Sequence, residues 1–208
     1  MIAETQIEPV RRKAVWGSRI RLATAVAGAL LLTSCSEAIR QGQSPGYLML
    51  MSLQGARGGG NSSGTFTSSL LSDVVTVVNG NATIFNDLGQ ATLQLVMKDP
   101  LAATSPANAI TMTQYHVKYI RTDGRNVQGV DVPFEFDGGL GVTISGTGSV
   151  AFTLVRNQAK LEAPLRALAQ NLQVVSTIAE VTFYGRDQNG REISVSGRID
   201  VAFANFGD

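Results

Sequence analysis

Hydrophobic residues recur at every second position through most of the chain after residue 72. Ala91, Leu93, Leu95 and Met97 fall on one side of an extended backbone, and Gln90, Thr92, Gln94 and Lys98 on the other, which is the pattern of a strand with one buried face. The same alternation runs through Tyr115/Val117/Tyr119, Val132/Phe134/Phe136, Val142/Ile144 and Val150/Phe152/Leu154. Turn formers stand between these runs: Asn79-Gly80, Asp99-Pro100, Asp123-Gly124, Gly138-Gly139 and the pair Gly146 and Gly148. A further strand is predicted over 47–54. Many short alternating strands separated by turns predict an all-β sandwich or barrel. One segment breaks the period. Leu161, Leu165 and Leu168 sit at helical spacing, with Glu162 and Arg166 as an i,i+4 pair and Pro164 in the first turn. This predicts one short helix of two or three turns that crosses between sheets and turns its leucines into the core.

The last hairpin can be given a register. Ile193, Val195, Gly197, Ile199, Val201 and Phe203 share one face of the final strand, and Val181 and Phe183 share one face of the strand before it. All are odd-numbered. Directly paired residues lie on the same face, so the apolar faces coincide only if the connecting loop has an odd number of residues. A two-residue Asn189-Gly190 turn is therefore excluded. The predicted loop is Gln188-Asn189-Gly190, closed by Asp187 and Arg191, with Gly190 in the left-handed region; it pairs Phe183 with Val195 and Val181 with Gly197.

Upstream of residue 36 the pattern is different. Arg11, Arg12, Lys13, Arg19 and Arg21 precede an uninterrupted apolar and small-residue run over 22–32, which leads into Leu32-Thr33-Ser34-Cys35 and the chain's only cysteine. The run is about half the roughly 20 residues a spanning helix needs, so charge, length and small residues together predict a secretory signal peptide. A thiol is a far stronger nucleophile than a hydroxyl, and this position holds the only one in the chain. Leu32-Thr33-Ser34-Cys35 resembles the lipobox of bacterial lipoproteins. The resemblance implies cleavage before Cys35, diacylglycerol on its sulfur and another acyl chain on the freed amine, where a single chain would hold only marginally. Ser36, rather than Asp, implies the outer membrane by the same family's sorting rule. Arg11-Arg12 has the look of a twin-arginine export pair, but Val10 and Ala14-Val15 depart from that pattern, and an ordinary basic leader is the preferred reading.

Removing residues 1–34 from the 208 leaves 174, the size of one domain, with 12 basic and 14 acidic residues and a net charge near −2. The slight basicity of the whole chain belongs to its leader, and no basic patch argues for nucleic acid. With Cys35 lipidated, no thiol remains for a disulfide, an iron–sulfur cluster or a Cys-ligated zinc, so the fold has to stand on packing. The expected organisation is a signal peptide over 1–34, the lipidated cysteine and a tether over 35–46, and a β-sandwich over 47–208. A Gly/Ser-rich stretch over 55–69 reads as a surface loop; no Gly-Lys-Ser/Thr follows it, so it does not read as a phosphate loop.

Candidate chemistry is sparse. The single histidine, His116, shares strand parity with Gln114 and Lys118 and is expected on a solvated polar face, a poor place for an oriented general base. Asp123, Asp131, Glu135 and Asp137 could bring oxygens together for calcium, but without an Asp-x-Asp-x-Asp-Gly loop they read as turn and strand-surface residues. No catalytic residue, metal or cofactor is expected, and Cys35 is the one assigned site, for lipid.

The segments 119–126 and 180–190 resemble those of immunoglobulin-like or fibronectin-III-like β-sandwiches in small bacterial lipoproteins. The antibody hallmarks are missing: the only tryptophan, Trp16, lies in the leader, and no cysteine pair spans the sheets. The resemblance implies an architecture and no chemistry. The expected function is thus a lipid-anchored, non-enzymatic accessory or interaction module of the cell envelope. Its contacts would be an envelope protein or glycan, made through loops 55–69, 98–108 and 123–131 facing away from the membrane. The alternatives are a small-ligand or carbohydrate carrier using Tyr115, Tyr119 and Tyr184 as exposed aromatics, and an envelope enzyme working through His116.

Overall fold

A computed structural model describes residues 44–59 and 64–207. The signal peptide, Cys35 and the tether up to residue 43 lie outside the described residues. Two sheets pack face to face. The smaller contains β1 (Gly46–Ala56), β5 (Asp87–Met97) and β8 (Thr147–Val155), antiparallel in the order β1-β5-β8. The larger contains β2 (Ser69–Asp73), β6 (Ile110–Ile120), β7 (Phe136–Ile144), β9 (Val175–Asp187) and β10 (Glu192–Ala204), in the order β2-β10-β9-β6-β7. Only β2 runs parallel to its neighbour. A small hairpin, β3 (Thr76–Val78) and β4 (Asn81–Thr83), closes through Asn79 and Gly80, both at positive φ as a two-residue type I′ turn requires. The chain is an all-β sandwich, as its period of two predicts.

The alternating residues fill the space between the sheets. Ala91, Leu93 and Leu95 are buried from one side, and Tyr115, Val117, Tyr119, Val181 and Phe183 from the other. Phe152 of β8 reaches across and meets two rings of the larger sheet edge-on, Tyr115 at 5.1 Å and Phe183 at 5.2 Å between centroids. Tyr119 packs on Phe203 at 5.6 Å and donates its hydroxyl to the Leu154 carbonyl at 2.7 Å, joining the two sheets by a buried hydrogen bond. Burial pushes the Tyr119 hydroxyl far above its ordinary pKa, so the donor keeps its proton. Each edge-to-face ring pair adds about 0.5–1.5 kcal/mol beyond area burial.

The final hairpin has the predicted register: Phe183 pairs with Val195 and Val181 with Gly197. Asp187 and Arg191 close it, with Asp187 N–H bonded to the Arg191 carbonyl at 3.0 Å and Gly190 at φ +78°. The Asp187 carboxylate also accepts the backbone N–H groups of Asn189 and Arg191, both at 2.9 Å.

Three local expectations are corrected. The predicted helix is split: α1 (Asn157–Leu161) ends in extended backbone at Glu162, and a 3-10 segment (Leu165–Gln170) starts after Pro164. The break takes Leu161 off the common face and leaves it 55 % exposed, while Leu165 and Leu168 are buried. Glu162 accepts from Gln158 instead of pairing with Arg166. The segment does cross from the smaller sheet to the larger. The second correction is Gly138-Gly139, which lies inside β7 and not in a turn. Tyr115 packs its ring where a Cβ on Gly138 would stand, so the glycine makes room for an aromatic of the neighbouring strand. Phe134 of the predicted 132–136 strand is left outside β7 and exposed, while Val132 and Phe136 are buried.

Strand directions define two ends. The described chain comes in at one end, where Gly46 pairs with Met97 and Lys98 N–H bonds the Pro45 carbonyl at 2.9 Å. At the other end lie the close of β1, the beginning of β5, the close of β8 with α1, and the loop that follows β6.

Gly190→Val should destabilise the domain by about 1–3 kcal/mol in urea unfolding, because a β-branched residue is strained at positive φ. No atom lies within 4 Å of the added Cβ, so the effect would come from the backbone alone. Asn189→Ala should cost less; equal losses at both positions would contradict this turn assignment.

Candidate functional site

The acidic residues around 123–137 are occupied by local contacts. Asp123 receives Arg121 at 2.6 Å and Arg125 at 3.1 Å, and the Arg121 hydrogen bond, followed by the Arg125 backbone N–H, holds its carboxyl well below the usual range. Asp131 accepts the Val127 backbone N–H at 3.2 Å and so belongs to its own turn. Glu135 and Asp137 come together on His116 instead: Asp137 Oδ1 lies 3.0 Å from Nδ1 and Glu135 Oε2 3.7 Å from Nε2. His116 is on the polar outer face of the larger sheet, as its parity predicts, but it is half-buried and clamped by two carboxylates where a freely solvated ring was expected. Its row continues across β9 and β10 to Thr182 and Ser196, whose hydroxyls bond each other at 2.9 Å. Among the described residues, no group of three or more His, Cys, Asp or Glu is placed to hold a metal ion.

The aromatic platform is not formed. Tyr115 and Tyr119 are core residues, 5 % and 2 % exposed, and only Tyr184 stands at the surface. Their parity is that of Val117, and the inward face takes all three. The three expected contact loops also separate. Loop 98–108 begins beside Pro45, at the end where the described chain comes in, whereas the described parts of 55–69 and the loop 123–131 lie at the opposite end.

That opposite end carries two further features. The first is a buried ion pair. Asp87 and Lys160 are both essentially inaccessible, with Nζ 3.0 and 2.9 Å from the two carboxylate oxygens. The same carboxylate accepts the Ser72 hydroxyl at 2.6 Å and the Gly58 N–H at 2.9 Å. Burial pushes the Lys160 ammonium below its ordinary pKa, and Asp87 pulls against that shift. Asp87 has the odd parity of Ala91, Leu93 and Leu95, which marks it as inward-facing.

The second is a cleft of about 310 Å³ whose lining includes Asn86, Tyr115, Phe136, Asp137, Arg156 and Asn157. Arg156 follows the close of β8, where a bulge pairs Val155 instead of Leu154 with Asp87 and both are buried, and its backbone is still extended. Its guanidinium carbon stacks 4.4 Å from the centre of the Phe136 ring. Its Nε is buried and has no hydrogen-bond partner in the protein. The Tyr115 hydroxyl accepts the Thr153 N–H at 3.3 Å and retains its own proton to donate. Asn86 accepts the Asn157 N–H at 2.6 Å through Oδ1, which leaves its amide NH₂ as a donor.

No family model matches the sequence, and no curated protein matches it. No helix of the described residues is long and apolar enough to cross a membrane.

Removing one partner of the ion pair should leave a buried charge. Lys160→Met or Asp87→Ala should each lose about 3–5 kcal/mol in urea unfolding, whereas Asp87→Leu combined with Lys160→Met should lose much less than the sum of the single changes. Single changes below about 1 kcal/mol would contradict the pairing.

Proposed function

We propose that this protein is a lipid-anchored, non-enzymatic module of the cell envelope, held in the outer membrane by acyl chains on Cys35, whose sandwich presents a recognition surface away from the lipid. The observation that carries this reading is the order of features along the chain. A basic leader, a short apolar run and a lipobox end at Cys35, and the first strand begins at Gly46. Residues 36–45 span at most about 35 Å even when fully extended, so the domain works close to the surface that holds it.

The polarity of the sandwich supports the same reading. Its first strand starts at one end, and the cleft, loop 123–131 and the described parts of loop 55–69 are at the other, roughly 35 Å away along an 11-residue strand. Loop 98–108 is dropped from the recognition surface, because it sits beside Pro45. The partner is an envelope protein or a glycan. The small-ligand reading no longer rests on exposed tyrosines; the Arg156 cleft is the observation that favours it.

Cys35→Ser in the full chain tests the anchor. Wild-type protein should partition into the detergent phase and sediment with outer membrane, and the variant should move to the aqueous phase with its β-sheet circular dichroism intact. Identical partitioning of the two would overturn the reading.

A further inference from the structure

We propose that the cleft at the far end of the sandwich binds a small ligand through an oxyanion, a carboxylate or a phosphate, with Arg156 as the anchoring residue. Arg156 stacks on Phe136 but has no carboxylate partner among the described residues, unlike four other cations at this end. Lys160 is consumed by Asp87, Arg57 lies 3.7 Å from Asp73, and Arg121 and Arg125 are consumed by Asp123. Arg156 forms no ion pair with any described carboxylate, and its buried Nε lacks an acceptor. A buried donor left without a partner is costly, and more so when charged, so an isolated structural role would be unfavourable at this position. Stacking on Phe136 fixes the plane of the guanidinium and pre-orients its fork of N–H donors, which matches two oxygens of a carboxylate or phosphate.

The neighbouring groups suit the same ligand. The free Asn86 amide and the Tyr115 hydroxyl are further donors lining the cleft with Arg156. Asp137, on the same lining, carries the one opposing charge, and its Oδ1 is turned to His116 at 3.0 Å. Its remaining oxygen can accept from a hydroxyl or ammonium elsewhere on the ligand, so the site would select small anions that also carry a donor. A volume of about 310 Å³ lies at the lower end of the range of small-molecule sites and admits an oxyanion with a few attached atoms. This assignment stands apart from the lipid anchor and holds for the domain however it is attached.

The test is an NMR titration of the full chain in detergent with inorganic phosphate and, separately, acetate, each against chloride at constant ionic strength. The expected result is saturable shifts confined to Asn86, Phe136, Arg156 and Asn157 and to the Arg156 Nε–H signal. The arm that saturates at lower concentration identifies phosphate or carboxylate as the preferred group. Arg156→Met should weaken binding by about tenfold or more, the loss of at least one charge-assisted hydrogen bond. Arg156→Lys keeps the charge over Phe136, so it should fold even if the Met variant does not, and it should still weaken binding because the fork is gone. Shifts that fail to saturate in both arms, or that persist unchanged in Arg156→Lys, would overturn the proposal.

Discussion

Asp87 opens β5 with its carboxylate out of reach of water, and donors from three other parts of the chain converge on it: Gly58 from the loop after β1, Ser72 from β2 and Lys160 from α1. Withdrawing a charge from water costs several kcal/mol per ion even after the surroundings relax, and the penalty is offset only when nearly every lone pair finds a donor. Here both oxygens are supplied, so each contributing segment has one permitted position. The constraint joins the smaller sheet, the edge of the larger sheet and the crossover helix at a single point. It also explains why a five-residue helix, too short to be stable alone, sits where it does.

The interior between the sheets is fixed differently. Without a cysteine pair, Phe152 enters between Tyr115 and Phe183, and the Tyr119 hydroxyl ties β6 to β8 through the Leu154 carbonyl. These contacts hold the end of β8 against β6 and β7. Arg156, directly after the bulged close of β8, stacks on Phe136 at the edge of the core. The cleft is a direct product of the packing: its lining includes the core aromatics Tyr115 and Phe136, and its cation follows directly on the buried close of β8.

Much of this was legible in the sequence, because β-structure has an exact side-chain period. Parity alone placed Val181, Phe183, Val195 and Gly197 in register and required an odd-length loop at 188–190. The same parity turns Asp87 inward with Ala91, Leu93 and Leu95, whereas the bulge at the close of β8 breaks the count before Arg156. What parity does not encode is contact across the sheets. Gly138-Gly139 has the composition of a turn but accommodates the Tyr115 ring within a strand, and the 161–168 leucines have helical spacing across a backbone that breaks at Glu162. His116 was placed correctly by its own strand, but its clamp comes from Glu135 and Asp137 on the neighbouring chain segment.

The cleft and the loop 123–131 lie at the end of the sandwich opposite Gly46, where the first strand begins. The proposed lipid on Cys35 is tested most directly at the mature N-terminus. Mass spectrometry of a tryptic digest of the membrane-extracted protein should find the peptide 35–40 with its mass raised by diacylglycerol on sulfur and an acyl chain on the amine. An unmodified peptide running through the Ser34–Cys35 bond, from residue 22 to Arg40, would contradict it.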